Sequence, residues 1–283
     1  EGFEEVEALT PLDMLRRAQI PVSTVGIDST TVCGAHNIVV KADLDEKDVD
    51  FNNMTAVILP GGMPGTINLE NSETVQKAME ALRKNRMQVD YVSDKEDAVA
   101  LVKALIPVGS TVGTGGSRTL DETGVTDLLR SGDYIFFDRN NPAFTAEQRA
   151  DFTAKSATAD FYLCSSNAVT ENGELYNVDG FSNRVAAIAN GPKKVIMVVG
   201  INKIVPNLDA AIRRVKTIAA PLNTKRLNCD TYCRSTGVCM GIDGEMTDGC
   251  HGPGRICCNY LISAQQRVEN RIHVILVGES LGF

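Results

Sequence analysis

Between residues 88 and 277, short apolar runs alternate with helical stripes, and this alternation constrains the fold more than any other feature. Gln88–Val92, Thr111–Thr114, Tyr134–Phe137, Phe161–Ser165, Val195–Val199 and Ile272–Val277 read as strands. One helical stripe starts with Val75, Met79 and Leu82 and runs to about Asn85, and a second passes through Val99, Val102 and Ile106. Others cover Thr145–Ala157 and Leu208–Ala219. Strands separated by helices pair in parallel, with helices on both faces of the sheet. The expected class is therefore α/β, with a Rossmann-like, mostly parallel sheet.

Local signals sharpen this reading. Ser93-Asp94-Lys95-Glu96 has capping-box spacing, as do Thr145 and Gln148. Asn172-Gly173 between Ala168-Val169-Thr170 and Leu175-Tyr176-Asn177 predicts a β-hairpin. Nearer the start, Val6, Leu9, Leu12, Leu15 and Ala18 form a stripe that Pro11 should kink. Extended runs follow at Val22–Ile27 and Ala56–Leu59, the second ending in the turn-rich Pro60-Gly61-Gly62-Met63-Pro64-Gly65.

Charge divides the chain. The net is −8, but residues 1–80 carry 14 acids and 5 bases, whereas the remainder is nearly balanced. This asymmetry suggests two unlike pieces, 1–73 and 74–283, the second including a cysteine-rich loop at 229–258. An acidic balance argues against nucleic acid as a partner. No apolar run approaches a membrane span, so no membrane insertion is expected. Of the eight cysteines, six fall between Cys229 and Cys258. Thiols confined to one corner of a large α/β chain point to a reducing, cytoplasmic compartment rather than a disulfide scaffold.

Candidate ligand residues cluster at strand ends, where open α/β sheets bind small molecules. Gly113, Gly115 and Gly116 let backbone amides approach an anion, and Ser117 adds a hydroxyl; the alternative is a plain tight turn. Asn167, Asp179, Asn183 and Arg184 flank the hairpin. Arg184 suits bidentate contact with a carboxylate or phosphate, and Asp179 suits a general base or orienting acceptor. A purely structural network of these side chains is the other possibility. Asn202 and Lys203 follow the strand ending at Gly200, with Lys203 either a second cation for the ligand or a solvated surface lysine. The expected partner is an anionic small molecule gripped jointly by the glycine amides and Arg184.

Cys233, Cys239, Cys250 and Cys257 stand among many glycines, separated by five, ten and six residues. Thiolates are preferred ligands of iron–sulfur clusters and zinc, although the paired knuckles of common zinc sites are missing. Free thiols are the alternative, and His251 is a less favoured ligand.

Ordered stretches across residues 74–283 resemble the lactate-utilisation (LUD) family. They include Val112-Gly113-Thr114-Gly115-Gly116-Ser117-Arg118-Thr119-Leu120, Ser165-Ser166-Asn167-Ala168-Val169-Thr170, Asn177-Val178-Asp179-Gly180, Asn183-Arg184-Val185-Ala186 and Val199-Gly200-Ile201-Asn202-Lys203-Ile204-Val205. The resemblance implies a NagB/RpiA/CoA-transferase-like fold. It also implies a link to oxidation of L-lactate to pyruvate alongside iron–sulfur redox partner proteins. A stand-alone enzyme on a phosphorylated or CoA-linked substrate, and a non-enzymatic ligand sensor or assembly factor, stay open as alternatives. Thr236-Gly237-Val238-Cys239 and Arg255-Ile256-Cys257 fit the family's cysteine pattern, with Met240–Gly249 longer than usual.

Residues 1–72, through Glu1-Gly2-Phe3-Glu4-Glu5-Val6-Glu7-Ala8 and the later Pro60-Gly61-Gly62, resemble the PfpI-like superfamily. In that superfamily the carboxyl matching Glu7 hydrogen-bonds a cysteine nucleophile. The pattern breaks off after Asn68-Leu69, before the nucleophile, and Cys33 does not match its position. An incomplete, non-catalytic flavodoxin-like α/β fragment is expected.

Overall fold

The structure is a computed structural model that describes residues 2–27, 29–49, 58, 60 and 72–283. The Ala56–Leu59 run and the Pro60–Gly65 loop lie outside these residues, apart from Ile58 and Pro60. Near the start, helix α1 (Glu5–Arg17) contains Pro11 and is followed by short pairs: β1 (Val25–Gly26) with β4 (Leu44–Asp45), and β2 (Thr31–Cys33) with β3 (Val39–Lys41). The strand expected over Val22–Ile27 is reduced to two residues.

Ser72 caps the next helix, α2 (Glu73–Lys84), through its side chain, and Val75, Ala78, Met79 and Leu82 are its buried stripe. The main sheet follows: β5 (Gln88–Val92), β6 (Thr111–Thr114), β7 (Ile135–Phe137), β8 (Phe161–Cys164), β11 (Lys194–Gly200) and β14 (Ile272–Val277). Its spatial order is β5-β14-β11-β8-β6-β7, and every pairing is parallel. Along β11, Val195, Met197 and Val199 join one core cluster while Ile196 and Val198 join the other. Because helices cover both faces, the strand interiors read as continuous apolar runs. One cluster includes α2 residues; the other packs α3 (Lys95–Leu105), α4 (Arg118–Glu122) and α5 (Val125–Leu129).

A second, four-stranded sheet has the order β12-β9-β10-β13. The expected hairpin forms its centre: β9 (Ala168–Thr170) pairs antiparallel with β10 (Leu175–Asp179), and Gly173 supplies the positive φ of the turn, +77°. Strands β12 (Ile204–Val205) and β13 (Asn259–Ser263) complete it.

Helix α6 (Ala146–Ser156) carries the full capping box of Thr145 and Gln148. The other expected box is displaced by one residue: Asp94, not Ser93, caps α3 by accepting from the Asp97 amide. The helix expected to stop at Ala219 does not stop. After α8 (Leu208–Arg214) it passes through a π-turn over Val215–Ala219 and continues as α9 (Ala220–Arg226). Pro221 sits in the first turn of α9, where a missing amide costs little, and the π-turn absorbs the altered pairing.

Strand order fixes where a ligand can reach the main sheet. From β6 the chain moves outward to β7, whereas from its neighbour β8 it moves the other way to β11. The connections diverge at the carboxyl ends of β6 and β8 and leave a crevice there.

Candidate functional site

Three loops meet at this end of the sheet: Gly115–Ser117 after β6, Ser165–Asn167 after β8, and Ile201–Lys203 after β11. The glycines have different duties. A Cβ on Gly113 would lie 2.5 Å from that of Ser156, so this glycine seats α6 and leaves the ligand set. A Cβ on Gly115 would meet Arg184 Cδ and Tyr162 Oη, each at 3.2 Å, and the Gly115 amide donates to Leu163 O across the sheet. Gly115 and Arg184 therefore do converge. The amides of Gly116 and Ser117 have no acceptor among the described residues, and Gly116 is exposed. The Ser117 hydroxyl is taken up in capping α4, where it accepts from the Leu120 amide.

Arg184, on the first turn of α7 (Asn183–Ala189), spends every guanidinium donor inside the protein. Nε donates to Asp179 Oδ1; Nη1 donates to Ser165 O and Asn177 Oδ1; Nη2 donates to Asn167 Oδ1 and Val178 O, all within 3.0 Å. Asp179 is equally committed, its other oxygen accepting from the Arg184 and Val185 amides. A saturated fork cannot clamp a ligand without breaking these bonds, so the geometry corrects the expected anion-gripping role to that of a structural node. The same saturation leaves Asp179 no free oxygen for general-base work. Asn167 is part of this node, while Asn183 lies half-buried at its edge. Tyr162 Oη and Asn177 Nδ2, beside it, are buried with no hydrogen-bond partner among the described residues.

Lys203 is not a solvated surface lysine; it is 2% exposed. Its Nζ donates to Thr119 Oγ1 at 2.7 Å and Ser165 Oγ at 3.0 Å, with no carboxylate partner among the described residues. Burial, followed by the charges of Arg214 and Arg184, pulls its pKa well below the ordinary lysine value. Arg214 is also buried, donating to the Asn202 and Asn167 carbonyls, and burial lowers it to about 10. Asn202 itself ties down the chain end, bonding Leu281 N and Gly282 O. The site thus gathers two guanidinium groups, Arg184 and Arg214, and the buried Lys203 amine around one paired carboxylate, a set of donors that suits an anion.

Arg226 supplies a further cation that sequence reasoning missed. From the end of α9 its Nη2 stands 3.8 Å from where a Gly116 Cβ would be, and its only hydrogen-bond acceptor among the described residues is Asn223 Oδ1. The helix extension past Pro221 brings it there, and ending the helix at Ala219 hid it.

Cys233, Cys239, Cys250 and Cys257 line one small cavity together with Lys216, Arg255 and Tyr260. Burial, and then the other cysteines, push the Cys257 thiol up to about 12. His251 is exposed, and Cys164 is core.

In the N-terminal piece, Glu7 is exposed on α1. Glu5 takes the buried place, accepting from the His36 amide at 2.7 Å and lying 2.8 Å from its Nδ1. Burial opposes its charge, but the bonds from His36 prevail and hold the carboxyl at about 2. Cys33 lies on β2 and is half-buried.

Comparison with known proteins finds both families that the sequence resembles. The family model described as LUD domain matches residues 75–277, and that of the DJ-1/PfpI family matches residues 1–90. The Parkinson disease protein 7 homolog of Danio rerio is 27% identical over 136 residues, 47% of this chain and 67% of that protein. Among solved structures, a DUF162 family protein from Deinococcus radiodurans has a TM-score of 0.41 at 17% identity, covering 72% of this chain and 96% of that one. A mutant DJ-1 superfamily protein from Salmonella typhimurium has a TM-score of 0.26 at 24% identity, covering 55% and 84%.

Proposed function

Because the chain belongs to the LUD domain family, we propose that it acts in lactate utilisation by binding a small carboxylate at the carboxyl ends of β6 and β8. The observation that carries this reading is the pairing of two unclaimed amides, Gly116 and Ser117, with the Arg226 guanidinium at the crevice. Donors fixed on a strand-end loop plus an exposed cationic fork suit a carboxylate oxygen pair. Buried Arg214 and the Lys203 amine, with no carboxylate partner among the described residues, stand behind the loop. L-Lactate or pyruvate fits this chemistry. In this reading the chain holds the carboxylate, and iron–sulfur partner proteins carry the electrons of L-lactate oxidation.

Two experiments test the proposal. Saturable thermal stabilisation by L-lactate or pyruvate, lost in Arg226→Ala, supports it; stabilisation by sugar phosphates or acyl-CoA alone replaces it with the phosphorylated-substrate alternative. Deletion of the gene in its source organism is expected to impair growth on L-lactate, and unimpaired growth overturns the lactate assignment.

A further inference from the structure

The loop that follows β7 is tied down on both sides of one unused side chain. Asp138 is 5% exposed, and its carboxylate accepts from Arg130 Nε at 2.8 Å and from the Asn140 amide at 3.2 Å. Phe144 packs edge-on against Phe152 of α6 with 5.1 Å between ring centroids, and Phe137 stacks on the same ring at 6.2 Å. The Arg139 amide donates to Phe137 O, and Asn141 Oδ1 accepts from the Ala143 amide. Arg139 thus stands on a backbone fixed from either end. Its guanidinium is half-buried and has no acceptor among the described residues, since the adjacent acid, Asp138, is taken by Arg130.

Strand pairing carries Arg139 to the crevice. Gly113 faces Phe137 between β6 and β7, and two residues further along the two chains stand Gly115 and Arg139. Burial raises the Tyr162 hydroxyl above the ordinary tyrosine value, and the charge of Arg139 is among those that oppose the rise. That hydroxyl lies 3.2 Å from where a Gly115 Cβ would be; Tyr162 is 1% exposed and its Oη has no hydrogen-bond partner among the described residues. The Gly115 turn is therefore accompanied by a half-buried cation and a buried hydroxyl that the fold itself does not satisfy. Groups of this kind are costly without a partner.

We propose that Arg139 determines specificity at this site by donating to the C2 oxygen of a 2-hydroxy or 2-oxo carboxylic acid. The assignment rests on the carboxylate reading above, in which the Gly116 and Ser117 amides and Arg226 hold the carboxylate. In such acids the carbon bearing the oxygen is bonded directly to the carboxylate carbon. The group that reads the oxygen must therefore come from a segment beside the one that takes the carboxylate, and the neighbouring strand end supplies it. A guanidinium only donates, and hydroxyl and keto oxygens both accept. Arg139 thus holds L-lactate and pyruvate alike and discriminates against acids with no oxygen at C2, which would leave its fork unpaired.

The test is calorimetric titration of the full chain with pyruvate, L-lactate and propionate, the last lacking the C2 oxygen. The wild type should bind the first two about ten- to a hundredfold more tightly than propionate, the worth of one charge-assisted hydrogen bond. Arg139→Met should bring pyruvate and L-lactate to the propionate level and leave propionate unchanged, whereas Arg226→Ala should weaken all three. The methionine variant breaks no side-chain hydrogen bond among the described residues, so its melting temperature should match the wild type; the wild-type comparison needs no variant at all. Propionate bound as tightly as pyruvate overturns the assignment, as does equal loss of all three acids in Arg139→Met. Malonate or inorganic phosphate bound more tightly than the three, through Arg139, gives the arginine a second anionic group and also overturns it. In each of these cases the carboxylate reading survives. Failure of every one of these anions to bind overturns that reading and this assignment with it.

Discussion

Lys203 Nζ and Thr119 Oγ1 stand 2.7 Å apart in the protein interior, joining the segment after β11 to helix α4, 84 residues away in sequence. The contact places an amine with a depressed pKa behind the glycine loop. Its pH consequence has a definite sign. The unfolded chain holds the lysine proton more tightly, with an ordinary value of 10.5, so the lysine penalises folding most at lower pH. That penalty is lost as pH rises from the depressed value toward 10.5. The stability difference between Lys203→Met and the wild type should therefore shift against the variant as pH rises from about 7 to about 10. Denaturant titrations at several pH values measure it, and parallel curves would contradict the buried amine.

Arg184→Ala should be costly to the fold. It strips five donors from a network of Asp179, Asn167, Asn177 and two carbonyls, leaving a carboxylate without its cation. Breaking a buried pair on one side typically costs about 3–5 kcal/mol. Exposed Arg226→Ala should change stability by no more than about 0.5 kcal/mol. Equilibrium unfolding of the two variants separates the structural arginine from the ligand-facing one; equal losses would remove that distinction.

Gly113 offers a test of packing against α6. A Cβ added there meets the Ser156 side chain at 2.5 Å. Gly113→Ala should cost about 1–3 kcal/mol, and Ser156→Gly should restore part of it. Gly116→Ala, with only Arg226 nearby, should leave stability unchanged and weaken anion binding. Additive effects of Gly113→Ala and Ser156→Gly would show that the two do not share the contact.

The strands of the main sheet were legible because burial on both faces leaves little polar residue within them, as in Val195–Val199 and Ile272–Val277. The hairpin was legible because Asn172-Gly173 answers one backbone demand. Strand β13 was not legible: its burial pattern is half-exposed, and the partner that defines it, β10, lies some 80 residues away. Helix α9 was hidden by Pro221, since a proline ordinarily marks an end and the π-turn that carries the helix past it has no local signature. The sequence placed Arg184 and Asp179 at the strand ends but could not count their donors and acceptors, which are filled from three separate segments, 165–167, 177–179 and 184–185. A lone lysine such as Lys203 carries no sequence mark of burial at all.

Titration of isotopically labelled protein with L-lactate, followed through the backbone amides of Gly116 and Ser117, tests the carboxylate site most directly. Saturable shifts confined to this loop and its neighbours are expected. Arg226→Ala should weaken them about ten- to a hundredfold, the worth of one charge-assisted contact. Amides that stay unmoved at saturating L-lactate and pyruvate would contradict the account.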